Sequence, residues 1–409
     1  MRPRSARRSR KRTALVILCL VLVLSTSGCW DYHPVTTRAL VVGMAVDKGE
    51  TGQGRYEVTL QIVIPQAIKG AAGGGAGGAA AGGPPFYITS ANGETFLEAL
   101  KNLQTVNGRQ IFLGHVRVVI FGEGLAMEGL RPIVEELARY AELDKAAFSM
   151  IARGAKGKDI LALSSPPDKM ASTSLHSTFT VADQHPNTVR VRLAEFYIRG
   201  WEPGFDQGLP TVFMPGTTTE GGAAATTQPG GGGQDRTEPV VGGVALLNDQ
   251  AWRLVDWLSF EETTGLLYLL GKAEHDSLRL GPSESGEYDE VLHLVIRRKV
   301  RLITEGGQIR FRIDLMGKGR IGEVRSTTLT TTEGDFVRIQ NEAARAIEAQ
   351  ARETLRRLQE AGSDVLGLGS MVLYQRPELW EKIDWSSLFP TVPVEVRATV
   401  RLKRKGLIS

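Results

Sequence analysis

Residues 309–315 read Ile309-Arg310-Phe311-Arg312-Ile313-Asp314-Leu315. Apolar and charged side chains alternate without a break, which is the period of a β-strand with one packed and one wet face. A helix would scatter Ile309, Phe311, Ile313 and Leu315 around its circumference. Two other segments repeat the pattern. Leu292, Leu294 and Ile296 oppose His293, Arg297 and Lys299. Val394, Val396, Ala398, Val400 and Leu402 oppose Glu395, Arg397, Thr399, Arg401 and Lys403. Parallel strands buried on both faces read as unbroken apolar runs, so alternation of this length predicts an antiparallel sheet with one solvated face.

Between these strands, residues 335–361 carry a helical stripe of Ala344, Ile347, Ala351, Leu355 and Leu358. Asp335 is the expected N-cap and Gly362 the stop, with Glu348–Arg352 and Glu353–Arg357 as i,i+4 pairs. The economical arrangement lays this helix over the dry face of the sheet. A strand at 240–247, a turn at Asn248-Asp249, a return strand at 252–258 and a helix at 261–270 precede it, so residues 238–409 are predicted as a C-terminal domain.

Upstream, strands and helices alternate. Strands are expected at 39–46, 56–64, 86–89, 116–121 and 148–152. Helices are expected from Glu94, from Pro132 and over 158–163. In the second strand, Tyr56, Val58, Leu60 and Ile62 alternate with Glu57, Thr59 and Gln61, as one dry and one wet face require. Phe96, Leu97, Leu100 and Leu103 mark one stripe of the first helix. Residues 29–163 therefore form an N-terminal mixed α/β domain. Residues 164–237, rich in Pro, Ser and Thr with one amphipathic helix at 189–197, are expected as a small middle domain. The fold class is α+β: three mixed α/β domains, the last an antiparallel sheet under a long helix. Gly/Ala-rich residues 70–85 and Gly/Thr-rich residues 216–234 lack apolar side chains to offset ordering entropy and read as loops. Neither has the glycine spacing and following lysine of a phosphate loop.

The amino terminus is an export signal over residues 1–28. Seven Lys or Arg and no acid precede an apolar run at 14–24, which is shorter than the about 20 residues a membrane-spanning helix needs. Ser27-Gly28-Cys29 then resembles a bacterial lipobox, with Thr26 where leucine is usual. Cys29 is the expected lipid-attachment residue; an ordinary secretory signal with an incidental cysteine is the competing reading. The whole chain is formally +4, but without the signal 42 basic residues face 45 acidic ones, so nucleic acid is not an expected partner. The remaining cysteine, Cys19, lies in the signal, which leaves the mature chain without a disulfide or cysteine metal site.

No catalytic or metal-binding constellation stands out. His33, His115, His176, His185, His275 and His293 have no histidine partner at i+3 or i+4. His115, entering a strand, is expected as a core ring. Glu135-Glu136 and Glu261-Glu262 are adjacent on helices, point about 100° apart, and read as solvated charges. Trp252, Trp257, Trp380 and Trp385 read as core or edge packing. No cofactor is expected. The wet face of the C-terminal sheet is one-signed: Arg297, Lys299, Arg301, Arg310, Arg312, Arg397, Arg401 and Lys403 meet Asp314 and Glu395. Such a face is either an aggregation-resistant solvated surface or a partner-facing one, suited to acidic protein loops or anionic head groups.

Taken in order, several segments resemble the Ger(x)C family, the C-subunit lipoproteins of spore nutrient-germinant receptors. The segments are Cys29-Trp30-Asp31 with residues 40–47, Gly93-Glu94-Thr95-Phe96 and residues 115–123. They continue with Gly243-Val244-Ala245-Leu246-Leu247, Glu262 with Gly265-Leu266-Leu267, and residues 364–369 followed by Trp380, Trp385 and Phe389-Pro390. The order and spacing of these motifs carry the resemblance more than any one of them. It implies three mixed α/β domains and no enzymatic activity. It also implies a lipid anchor on the outer face of the spore inner membrane and A and B integral-membrane subunits as partners. The two Gly-rich insertions and Thr26 depart from the family pattern. An extracytoplasmic solute-binding lipoprotein is the alternative, against which the dissimilar halves of the chain argue.

Overall fold

The computed structural model describes residue 17 and residues 37–65, 84–164, 168–181, 188–214, 238–248, 251–274, 276–280, 289–324 and 333–403. Cys29, its lipobox, and the loops at 71–83 and 216–234 lie outside the described residues.

Nine described strands form the larger sheet: β1 (Arg38–Lys48), β2 (Tyr56–Val63), β3 (Phe86–Gly93), β4 (Gln110–Phe112), β5 (Val118–Gly122), β6 (Phe148–Ala152), β7 (Gly208–Phe213), β8 (Val240–Asn248) and β9 (Arg253–Leu258). Their order is β3-β2-β1-β5-β6-β7-β8-β9, with β4 on β1. The centre, β1-β5-β6-β7, is parallel. Helical crossovers cover both faces there, so β5 and β6 are buried throughout and apolar except for Ser149. One face packs under helices Phe96–Val106, Arg131–Arg139 and Leu193–Gly200. The other packs under Gly157–Ala162 and Ala171–Val181.

That second layer corrects the reading of β2. All its residues except Val63 are buried, Glu57, Thr59 and Gln61 included. Their polar groups are satisfied within the protein. Gln61 Nε2 donates to Leu161 O at 2.7 Å, Ser172 Oγ donates to Gln61 Oε1, and Lys158 Nζ lies 2.7 Å from Glu57. Alternation marked the two faces correctly but could not show that helices cover the polar one. In helix Phe96–Val106, Ala99 takes the buried position expected of Leu97, which is half exposed.

Residues 164–237 are expected as a small middle domain, but their described elements are built into the large sheet. Helices Ala171–Val181 and Leu193–Gly200 form the crossover from β6 to β7. The helix expected at 189–197 starts later, at Leu193. The boundary expected at 237/238 also falls inside this sheet. Val244 of β8 pairs with Pro210 on one side and with Leu258 on the other. Pro210, which has no N–H to donate, sits beside a register shift in β7, where a sheet tolerates it.

The second sheet is β10 (Asp276–Leu280), β11 (Asp289–Glu305), β12 (Gln308–Val324) and β13 (Val394–Lys403), in that order. β11 and β12 form a long antiparallel hairpin. Its turn, Gly306-Gly307, has φ of 60° and 82°, conformations that glycine adopts without strain. One expectation fails here: β13 pairs with β12 in parallel. The long helix Glu333–Glu360 carries the chain back to the starting end of β12, as a parallel connection requires. This helix begins two residues before Asp335, so Asp335 is inside it and not its cap.

Helix Glu333–Glu360 buries Ile339, Ala343, Ile347, Ala351, Leu355 and Leu358 in one core with Phe311, Ile313, Leu315, Val396 and Val400 from the dry face. It also protects the open edge of β13. Glu348 Oε2 and Gln340 Oε1 accept from Ala398 N and Leu402 N at 3.1 and 3.0 Å, and Arg352 donates to Val396 O at 3.2 Å. An unpaired strand edge would otherwise invite pairing with another chain.

Candidate functional site

The side chains that join the two sheets come from distant segments. Ser259 and Glu262 form a reciprocal capping box at the start of helix Phe260–Leu270: Ser259 Oγ accepts from Glu262 N at 3.2 Å, and Glu262 Oε2 accepts from Ser259 N at 2.7 Å. Arg357 on the long helix reaches Asp256 Oδ2 at 2.8 Å and Glu262 Oε1 at 3.1 Å, tying β9 to both helices. Glu262 is thus structural and not merely solvated. The same holds for Glu136, whose Oε2 accepts from Phe96 N at 2.7 Å at the start of helix Phe96–Val106.

Asp364 is the deepest charge. Its Oδ1 accepts from Gly367 N and Leu368 N at 3.0 and 3.1 Å; its Oδ2 accepts from Gly369 N at 2.8 Å and Trp385 Nε1 at 3.1 Å. Burial nevertheless outweighs these four donors and pushes the carboxyl up to about 6. Nearby, Arg298 donates to Leu269 O at 3.0 Å and Leu366 O at 3.3 Å, closing the end of helix Phe260–Leu270 onto the segment after Asp364. Asp47 plays a similar part in the large sheet. Buried, with its carboxyl raised by that burial, it accepts from Gly157 N at 2.7 Å and Lys158 N at 3.0 Å.

The structure brings the basic residues predicted on the wet face together on one surface. In register, Arg301, Arg312 and Glu395 form one row, and Lys299, Asp314 and Arg397 the next. The acids are spent locally: Glu395 meets Arg312 at 2.7 Å and Arg397 at 2.6 Å, while Arg301 pairs with Asp314. Those two guanidinium groups hold the Glu395 carboxyl below the usual range. Arg310 finds Glu305 at 2.6 Å and Arg297 finds Glu274 at 3.0 Å. Farther along, Lys318 stands opposite Arg401 and Arg320 opposite Lys403, all exposed, with no ion pair among the described residues. Like charges directly opposite on a sheet are destabilising. Lys318 and Arg320 were missed in the sequence because Gly317 and Gly319 interrupt the apolar side of the alternation, while Asp314 and Met316 interrupt the basic side.

His115 is not a core ring. It is exposed ahead of β5 and makes an edge contact with Phe112, centroids 5.4 Å apart. The strand begins at Val118, so position 115 belongs to the preceding turn. Trp252 is buried, with Nε1 donating to Gly200 O at 3.1 Å, and Trp385 is buried against Asp364. Among the described residues no cluster of three or more His, Cys, Asp or Glu could hold a metal ion. No described helix is long and apolar enough to cross a membrane.

Fold and site together define a two-sheet α+β protein with a basic sheet face. Two family models match it: the spore germination protein N-terminal domain over residues 31–213, and the spore germination B3/GerAC-like C-terminal domain over residues 242–406. The chain belongs to the Ger(x)C family of spore germination proteins. It is 25% identical over 410 residues to spore germination protein KC of Bacillus subtilis (strain 168), covering 97% of each chain. It is 20% identical over 392 residues to spore germination protein GerQC of Bacillus cereus, covering 96% of this chain and 98% of that one. Among solved structures, the GerBC protein superposes with a TM-score of 0.55 at 17% identity, covering 88% of this chain and 96% of that one, a likeness of fold.

Proposed function

We propose that this protein is the lipid-anchored, non-enzymatic subunit of a membrane nutrient-germinant receptor, required for its assembly or signalling in spore germination. Its family membership over both halves of the chain carries this reading. Cys29 is the attachment point, placing the globule on the outer face of the spore inner membrane beside A and B integral-membrane subunits. Two acyl chains on that cysteine, at about 0.8 kcal/mol per buried CH₂, make attachment effectively permanent without a membrane span. Confinement beside the membrane raises the effective concentration of the domain, so modest lateral contacts are occupied.

The basic face made by Arg297, Lys299, Arg310, Arg312, Arg397 and Arg401 is the surface that meets an acidic face of a receptor subunit. Its strongest segment is the end where Lys318 and Arg320 oppose Arg401 and Lys403. Repulsion in the free subunit would be relieved by an anionic partner. Affinity purification of the tagged protein from spore inner membranes tests the proposal. Recovery of two polytopic membrane proteins with it supports the reading; recovery of the tagged chain alone overturns it.

A further inference from the structure

A cleft of about 600 Å³ opens where the crossover before β7 faces helix Phe260–Leu270 and β11. Its apolar wall includes Phe179, Phe205, Leu266, Leu267, Leu270 and Val365. Set among these are five cationic side chains, Arg190, Arg192, Arg199, Lys272 and Arg297. Among the described residues, two acids, Glu195 and Glu274, line it with them. Each acid is already engaged, Glu195 by Arg199 at 3.4 Å and Glu274 by Arg297 at 3.0 Å. Arg199 also lies 5.2 Å over the Phe205 ring, and Arg192 lies 5.4 Å over Phe148. These ring contacts hold the guanidinium groups at the wall without neutralising them.

Lys272 has no side-chain partner among the described residues. Partial burial draws its amine below the ordinary lysine value; Glu195 opposes that shift, and Arg199, Arg298 and Arg190 add to it. The Lys272 side chain is nonetheless exposed and so is open to a ligand in the cleft. A cationic cleft with an apolar wall and a size in the usual range for ligand sites has a shape and charge that fit one kind of occupant.

We propose that this cleft binds a small organic anion, a carboxylate or phosphate ester carrying an apolar group. Lys272 and Arg192 meet the charge, while Leu266, Leu270 and Phe205 cover the apolar part. Both halves of the chain contribute to the site, so occupancy would stiffen their junction. The inference does not depend on receptor membership.

Calorimetric titration of the full-length protein in non-ionic detergent tests it, with phenyl phosphate and phenylacetate as probes and phenethylamine as the cationic control. The expected result is saturable, salt-sensitive binding of at least one anion and none of the amine. Lys272→Met should weaken that binding at least about tenfold, or 1.4 kcal/mol, with an unchanged melting temperature. Arg192→Gln, at an exposed position, gives the same readout if Lys272→Met fails to fold. Charge reversal at Lys318 on the outer sheet face should leave binding intact. Absence of anion binding up to about 10 mM, equal binding of phenethylamine, or full binding by Lys272→Met and Arg192→Gln would overturn the proposal.

Discussion

The indole Nε1 of Trp385 donates to Oδ2 of Asp364 at 3.1 Å, and both residues are buried. Asp206 Oδ2 accepts from Asp364 N at 2.7 Å, which brings the crossover before β7 to the same point. The Asp364 carboxylate thus ties the start of helix Leu368–Gln375 to the short helix Trp385–Leu388, while its backbone N–H holds the crossover through Asp206.

Asp364→Asn should destabilise the fold by about 1–3 kcal/mol at neutral pH. An amide cannot accept from both pairs of donors, because its NH₂ would face either Gly367 and Leu368 or Gly369 and Trp385. The pH dependence has a defined sign. A folded-state carboxyl raised to about 6 from 3.8 binds its proton more tightly than in the unfolded chain. Its favourable contribution is complete below the unfolded value and is lost as pH rises through about 6. Urea melts at several pH values should show that slope in the parent and lose it in Asp364→Asn.

Gly265 permits two helices to touch. A Cβ there would stand 2.1 Å from Thr354 Oγ1 and 2.9 Å from Gln350 O on the long helix. Gly265→Ala should therefore cost about 1–3 kcal/mol through forced separation. The urea midpoint reads this; an unchanged midpoint would mean that the helices do not approach so closely.

Gln61→Leu should cost about 1–3 kcal/mol, although it adds apolar volume to a buried position. It strips Leu161 O of its donor and Ser172 Oγ of its acceptor beneath helices that exclude water. Thermal melting decides the matter, since a wet face, as alternation alone suggests, would tolerate leucine.

On the outer face, the double variant Lys318→Glu with Arg401→Glu should leave the melting temperature nearly unchanged, because both side chains are exposed and lack ion pairs among the described residues. Recovery of membrane subunits should fall at least about tenfold, since reversal sets like charges against an acidic partner. Undiminished recovery would leave the face a solvated one.

How much was legible depended on where each residue's neighbours come from. Strands such as 309–315 and 394–403, and the stripe of the long helix, announce themselves because burial follows a local period. β7 did not, since Gly208 and Pro210 break a strand pattern and only pairing with β6 and β8 forms it. The parallel joining of β13 depends on the length and direction of a helix crossover. The outer basic face was visible because alternation places its residues together. The cleft was not, because Arg192, Lys272 and Arg297 are far apart in the chain and meet only in the fold.

The most direct test of the account is the distribution of Cys29→Ser between membrane and soluble fractions of spores, read alongside the nutrient response. The expected result is a folded protein released from the membrane and spores that no longer germinate on nutrients. A serine variant that stays in the membrane fraction and supports full germination would contradict the lipid-anchored role.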